Sequence, residues 1–247
     1  MLEESTRDHA IDVASRRMAL DALAGNLCGG RPAYLDAGCS TGWLVEDVRW
    51  RHPAAWIVGA DPFLSGLRKL RGRLGDVRTV QFDLCRAPFA GESFDAISCL
   101  NVLEHIEEDV QALRQIRRML KPDGGAFIMV PAGPGLFDYY DEVHQHVRRY
   151  GCGEFQSKLA AAGLTVRRLS YLGVLLYPAF YAAKKMGQWK MRGKTMDEKR
   201  QQVLKNIGRT SGSWMAGAAL ALERKLSAVL PQRFGIRLCA SVRRAAA

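Results

Sequence analysis

Three aspartates stand where apolar runs end. Asp36 follows Tyr34 and Leu35, Asp61 follows the run Ala55 to Gly59, and Asp83 follows Val77 to Phe82. A carboxylate at such a place offers several lone pairs to the hydroxyl, amino or ammonium groups of a polar ligand. Between the first two lies the bend Asp36-Ala37-Gly38-Cys39-Ser40-Thr41-Gly42. Gly38 and Gly42 let backbone approach a ligand where a Cβ would collide. A helix opening at Thr41 would turn its free amides toward the same ligand. Asp61 comes 19 residues after Gly42, the spacing of a carboxylate that takes two ribose hydroxyls. A further apolar run, Phe94 to Leu100, delivers Asn101 and Val102. The set suits a nucleotide-like or zwitterionic ligand.

Acid–base chemistry near neutral pH would fall to histidine. His105 closes Asn-Val-Leu-Glu-His, and His144 and His146 lie in Asp-Glu-Val-His-Gln-His-Val-Arg-Arg-Tyr. Each could equally brace its loop, and the residues alone leave that open. Asp138, Tyr139, Tyr140 and Asp141 precede the second pair and could line a pocket with it. No grouping of cysteines and histidines points to a metal.

These side chains need a scaffold, and the chain alternates strand-like and helix-like stretches. Val13, Leu20, Leu23 and Leu27 form a helical stripe within residues 5 to 28, stopped by Gly29 and Gly30. A helix from Thr41 to about Trp50 ends before Pro53, and Leu64, Leu67, Leu70 and Leu74 mark another. Val110, Leu113, Ile116 and Leu120 mark a third, stopped by Lys-Pro-Asp-Gly-Gly at 121 to 125, after which Ala126 to Val130 reads as a strand. Such alternation predicts an α/β, Rossmann-like, doubly wound and mainly parallel sheet that binds ligands at the carboxyl ends of its strands.

The motifs in order resemble those of class I S-adenosylmethionine-dependent methyltransferases, in particular the small-molecule branch that includes ubiquinone-biosynthesis enzymes. They are Leu-Asp-Ala-Gly-Cys-Ser-Thr-Gly at 35 to 42, Gly-Ala-Asp-Pro at 59 to 62, Phe-Asp-Leu at 82 to 84, Phe-Asp-Ala-Ile-Ser at 94 to 98, Asn-Val-Leu-Glu-His at 101 to 105 and Leu-Lys-Pro-Asp-Gly-Gly at 120 to 125. Ser40 departs from the family, which usually has a third glycine there. The resemblance implies a seven-stranded sheet and S-adenosyl-L-methionine as cofactor, with S-adenosyl-L-homocysteine as product. It places the methionine moiety on Asp36, Ala37, Gly38, Cys39, Ser40 and Gly42, the ribose on Asp61, and the adenine amino group on Asp83. Pro62 or Phe63 would sandwich the base with Leu84, while Asn101 and Val102 would border the sulfonium. It also makes His146, Arg148 and Tyr150 the family's recurring His-x-Arg-x-Tyr. On this reading His146, His144 and His105 are the catalytic candidates, and Tyr139, Tyr140, Arg148 and Tyr150 the acceptor-binding ones.

Leu164 to Leu169 and Gly235 to Val242 could supply the antiparallel strands with which the family's sheet closes, and they are too far apart for a hairpin loop. A helical insertion before the last strand is therefore expected. The division becomes a lead-in helix over 1–30, a cofactor-binding core over 31–170, the insertion over 171–233 and the last strand with its tail over 234–247. Leu169 to Ala183 is uncharged, and Lys184 to Arg209 carries nine Lys or Arg against Asp197 and Glu198. A second apolar helix is expected near Trp214 to Leu230. Residues 169–230 thus have the composition of a lid, of an element at a membrane surface, or of a packed helical pair.

The net charge of +11 conceals a division: residues 151 to 247 hold 18 Lys plus Arg against 4 Asp plus Glu. This basic half keeps a nucleic-acid-modifying or nucleic-acid-binding protein as the alternative to a methyltransferase of small-molecule or lipid-linked acceptors, most readily at oxygen. The fourth strand lacks the Asn/Asp-Pro-Pro-aromatic signature of base methylation, which disfavours it. Gly-x-x-x-Gly also disfavours a nicotinamide-dependent oxidoreductase. Six scattered cysteines and a charged amino end predict a reduced, cytoplasmic protein, with the insertion a candidate contact for the inner face of a membrane.

Overall fold

The structure, a computed structural model, describes residues 7–210, 214–226 and 233–245. Helix α1 (Ala10–Leu23) buries Ala19, Leu20 and Leu23, and a 3-10 turn over Ala24–Leu27 carries the chain to Gly29 and Gly30, both at positive φ. The expected lead-in helix began at residue 5, and its first two residues lie outside the described ones.

Strands β1 (Ala33–Ala37), β2 (Trp56–Asp61), β3 (Arg78–Gln81), β4 (Phe94–Leu100), β5 (Leu120–Pro131), β6 (Leu164–Leu172) and β7 (Arg237–Arg244) form one seven-stranded sheet in the order β3-β2-β1-β4-β5-β7-β6. The first five run parallel, and β7 lies antiparallel between β5 and β6. Between them come α2 (Trp43–Arg51), α3 (Leu64–Arg73), α4 (Asp109–Met119), the short α5 (Tyr139–Val143) and α6 (Cys152–Ala161). Both faces of the sheet are covered, which is why its strands read as apolar runs rather than alternating ones. Tyr34 packs with Leu20, Val45, Leu70 and Met129 on one face, and Leu35 packs with Leu113, Ile116 and Phe155 on the other.

The sequence predicts a turn at Lys121-Pro122-Asp123-Gly124-Gly125, and the structure corrects it. Helix α4 stops at Met119 and these residues already belong to β5, which slips register against β4 between Phe94 and Ala96. The glycines serve close approach instead. A Cβ on Gly124 would stand 3.0 Å from the Phe94 carbonyl oxygen, and one on Gly125 would stand 2.5 Å from the side-chain oxygen of Asn26. Helix α2 likewise begins at Trp43 rather than Thr41, because Gly42 takes the left-handed conformation before it.

The insertion carries α7 (Tyr177–Lys190), α8 (Met196–Thr210) and α9 (Trp214–Leu226) between β6 and β7. The uncharged run from Leu169 is divided: its first four residues finish β6 and its last seven open α7. Among the described residues no helix is long and apolar enough to cross a membrane. Helix α9 sets Leu220 into the cluster around α1, and its buried Glu223 accepts the Gly173 and Leu175 amides at 2.8 and 3.1 Å. Helices α7 and α8 instead meet the segment after β5 through polar groups. The Gln188 side chain donates to the Gly135 and Phe137 carbonyls, and Asn206 donates to the Tyr139 hydroxyl at 2.7 Å.

Glu223→Ala leaves the buried Gly173 amide and the part-buried Leu175 amide without acceptors, so unfolding in urea should show a loss of about 1–3 kcal/mol. Faster amide exchange at 173–175 and across α9 should accompany it. Stability and exchange like the parent's would show that Glu223 does not anchor the insertion.

Candidate functional site

The sheet order reverses between β1 and β4, and at such a switch point the loops leave in opposite directions and open a crevice. The bend after β1 is built for close contact there. Gly38 and Gly42 have φ of 84° and 81°, and the Gly38 and Cys39 amides both donate to the Ala60 carbonyl of β2. A Cβ at Gly38 would overlap the Val102 side chain at 2.2 Å, so the β1 and β4 loops touch where no side chain fits. Ser40 stands at φ 48°, a left-handed conformation that costs a non-glycine residue roughly 1–2 kcal/mol. In that conformation its amide donates to Asp61 Oδ2 at 2.8 Å, and the Phe63 amide donates to Oδ1 at 2.9 Å. Each oxygen of Asp61 accepts one amide and has lone-pair capacity for a further donor. Burial makes Asp61 a weaker acid, with its pKa above the ordinary carboxylate value, and the Phe63 and Ser40 amides partly offset the rise.

Asp36 is buried behind the bend. Ser98 of β4 donates to its Oδ1 at 2.6 Å, and the Tyr34 hydroxyl stands 2.6 Å from Ser98 in turn. Burial pushes the Asp36 carboxyl up to about 7, against the Ser98 hydrogen bond and with the Asp61 charge adding to the rise. The sequence gives no hint of this Ser98–Tyr34 support, because both residues read as ordinary members of apolar strands.

Asp61 lies opposite Gln81 in the parallel register of β2 and β3, which sets Asp83 two residues further along the same edge. Asp83 is exposed and accepts the Cys85 amide at 2.8 Å. Phe63 is half-exposed and Pro62 is exposed, whereas Leu84 is buried in the core cluster that also holds Ala37. Asn101 takes a left-handed conformation, and its side-chain oxygen accepts from Arg237, the first residue of β7, at 2.5 Å. Sequence reasoning missed Arg237 because 136 residues separate the partners.

The histidines separate into two roles. His144 stacks on Tyr140 with ring centres 4.1 Å apart, and its Nδ1 lies 2.8 Å from the Tyr140 carbonyl at the end of α5. His105 and His146 meet edge to face at 4.7 Å, and polar atoms of Glu104, His105 and His146 fall within 4.8 Å of one another. His146 Nδ1 lies 2.8 Å from Asp141 Oδ1, while its Nε2 is buried and makes no hydrogen bond. Asp141 also accepts from Arg149 at 2.9 Å. Burial opposes its ionisation, but the hydrogen bonds of His146 and Arg149 and the charges of Arg149 and Lys184 outweigh it, holding the carboxyl well below the usual range. The structure does not bring Arg148 and Tyr150 to this group. Both reach Asp109 at the start of α4, at 2.7 and 2.8 Å, and Lys158 joins them. Tyr139 is held from α8 by Asn206.

Comparison with known proteins agrees with this geometry. Residues 35–128 match a family model described as a methyltransferase domain. The ubiquinone biosynthesis O-methyltransferase of Neisseria meningitidis serogroup A is 31% identical over 118 residues, 44% of this chain and 48% of that protein. The malonyl-[acyl-carrier protein] O-methyltransferase of Erwinia pyrifoliae is 33% identical over 159 residues, 63% of this chain and 60% of that protein. The chain thus spans between about a third and three fifths of the length of the curated relatives it matches. Among solved structures, an S-adenosylmethionine-dependent methyltransferase from Mesorhizobium loti superposes with a TM-score of 0.59 at 16% identity, over 91% of this chain and 96% of that one. The [4+2]-cyclase SpnF does so with a TM-score of 0.62 at 19% identity, over 96% and 84%. At such identities the structures speak for the fold alone, and one fold can serve different reactions. The matched segment, the sheet order and the strand-end carboxylates agree: residues 35–128 match a methyltransferase domain, on a fold shared with S-adenosylmethionine-dependent methyltransferases, and the chain is similar over part of its length to those of ubiquinone biosynthesis.

Proposed function

We propose that the protein transfers a methyl group from S-adenosyl-L-methionine to a hydroxyl oxygen of a small-molecule or lipid-linked acceptor. The observation that carries this reading is Asp61, held by the Ser40 and Phe63 amides beside a bend with no room for a Cβ at Gly38. The cofactor supplies an activated methyl group whose departure leaves a neutral thioether. Asp61 takes the ribose hydroxyls, Asp83 the adenine amino group, and the buried Asp36 attracts the ammonium. Positioning then supplies most of the rate, by holding an acceptor lone pair about 3 Å from the methyl carbon and on its axis. A hydroxyl must also lose its proton as it attacks. The His105–His146 pair is the receiver, with Asp141 fixing the His146 ring so that Nε2 is its unprotonated nitrogen. The likeness to O-methyltransferases of ubiquinone biosynthesis and of malonyl-acyl carrier protein supports an oxygen acceptor.

The insertion supports a lipid-linked acceptor or a peripheral site of action. Ala179, Ala182, Met186 and Trp189 form an outward apolar stripe on α7, with Trp189 76% exposed, beside Lys185 and Lys190. Trp214 and Met215 at the start of α9 are also exposed. Apolar side chains flanked by basic ones suit an anionic bilayer surface more than a nucleic acid, whose backbone would leave the tryptophans without a distinct role.

Donor binding tests the first half of the proposal. Calorimetry should give micromolar affinity for S-adenosyl-L-homocysteine, lost by tenfold or more in Asp61→Ala and in Gly38→Val; normal affinity in Asp61→Ala rejects the ribose assignment. Because the carboxyl of Asp36 is held near 7, affinity should rise as pH goes from about 6 to 8 and its charge becomes available to the ammonium. Asp36→Asn should flatten that rise. Without ligand the sign reverses, since the folded protein holds a proton that the unfolded chain releases near 3.8, the ordinary value of an aspartate. The resulting penalty, of order 4 kcal/mol, is absent at low pH and grows until about pH 7. Asp36→Asn should therefore raise stability at pH 8 but not at pH 4.

For the acceptor, label transfer from the methyl donor to hydroxylated aromatic and acyl-lipid probes should fall by about 100-fold or more in His146→Ala, with donor affinity kept. Undiminished transfer would remove the base assignment. Sedimentation with phosphatidylglycerol vesicles should be weakened by salt and by Met186→Glu with Trp189→Glu; no binding at low salt would remove the membrane proposal.

A further inference from the structure

Helix α7 delivers one lysine to the interior. Lys184 is 7% exposed, and its Nζ lies 2.6 Å from Asp138 Oδ1 and 3.1 Å from Asp141 Oδ2, over the rings of Tyr140 and Phe180. Asp141 is the same carboxylate that meets His146 Nδ1. Two buried carboxylates thus share the cations Arg149 and Lys184, and the two cations are not equivalent. Arg149 Nε is bonded to both oxygens of Asp141, so the carboxylate of Asp138 depends on Lys184 for its counter-ion.

From this geometry we propose that Lys184 is a positioning residue for His146: by pairing with Asp138 it leaves the Asp141 oxygen to the His146 Nδ1–H, and so makes the insertion part of the acceptor site. The inference rests on the reading of His146 as a proton acceptor. Without Lys184, Asp138 would be a buried anion beside a second one. The economical response is to take up a proton. The acid so formed lies against Asp141 and can donate to it in competition with His146. Burial already favours the protonated form of Asp138, and Lys184 is the opposing influence. The other groups around the ring are Glu104 and His105 from the turn after β4, His144 at 6.1 Å and Arg149 on its own segment, and none of these contacts Lys184 through a hydrogen bond. Close packing holds α7 in place, since a Cβ on Gly187 would stand 2.9 Å from the Tyr139 ring.

Histidine-selective nitrogen labelling reads the His146 tautomer without any reaction. The parent should show the proton on Nδ1, Lys184→Arg should match it, and Lys184→Met should move a substantial share of the proton to Nε2. Turnover should then fall roughly tenfold in kcat, with the donor Kd unchanged and recovery in Lys184→Arg. A Lys184→Met protein with the parental tautomer overturns the inference. Should that variant fail to fold, Lys184→Met with Asp138→Ala removes the ion pair as a unit, leaves no side-chain donor at residue 138, and is the more tolerated change for a buried pair. With no acid to compete, it should keep the parental tautomer, and a displaced proton there would mean that Lys184 acts through packing alone. Failure of the parent to bind S-adenosyl-L-homocysteine would instead sink the methyltransferase reading and leave the tautomer result standing.

Discussion

No side chain can stand at residue 38, and the site follows from that restriction. The β1 bend must pass within contact distance of Val102, so Gly38 takes a positive φ, Ser40 is drawn into a left-handed conformation, and the Ser40 amide turns onto Asp61. A single steric fact therefore joins the ends of β1, β2 and β4 at the switch point of the sheet. A carboxylate held by two backbone amides is fixed before any ligand arrives, and preorganisation of that kind lowers the ordering cost of binding.

The second centre is organised around charge. Asp141 is buried, yet it gathers the Asp138 amide, His146, Arg149 and Lys184, which together overcome the unfavourable burial of an anion. The participants come from α5, the segment after it and the insertion, so the insertion is not a separate appendage. Its α7 presents a charged inner side to the site and an apolar outer stripe to its surroundings. Helix α9 is held differently, through Leu220 against α1 and through Glu223 on the backbone leaving β6.

The core of the fold was legible because the central strands β1, β2 and β4 are buried along nearly their whole length and read as apolar runs closed by a polar residue. Phe94–Leu100 falls where its composition places it, and Asp36, Asp61 and Asn101 mark the ends of β1, β2 and β4. Lys121 to Gly125 misled, because glycine favours turns in general and here serves close contacts with Phe94 and Asn26. Arg148 and Tyr150 match a family pattern yet support Asp109, and no local property of a sequence distinguishes a brace from a binding group. Ser98, Arg237 and Lys184 were illegible for a further reason: their partners lie 62, 136 and 46 residues away, and only the fold brings them together.

The central claim is that the glycine bend, Asp61 and Asp83 enclose one crevice shaped for adenosine joined to an amino acid. The most direct measurement is a crystal structure with S-adenosyl-L-homocysteine bound. The account predicts ribose hydroxyls on Asp61, adenine along the ends of β2 and β3 near Asp83, and the sulfur beside Val102 on the side of His105. Binding at another edge of the sheet, or a ribose that does not meet Asp61, would contradict it.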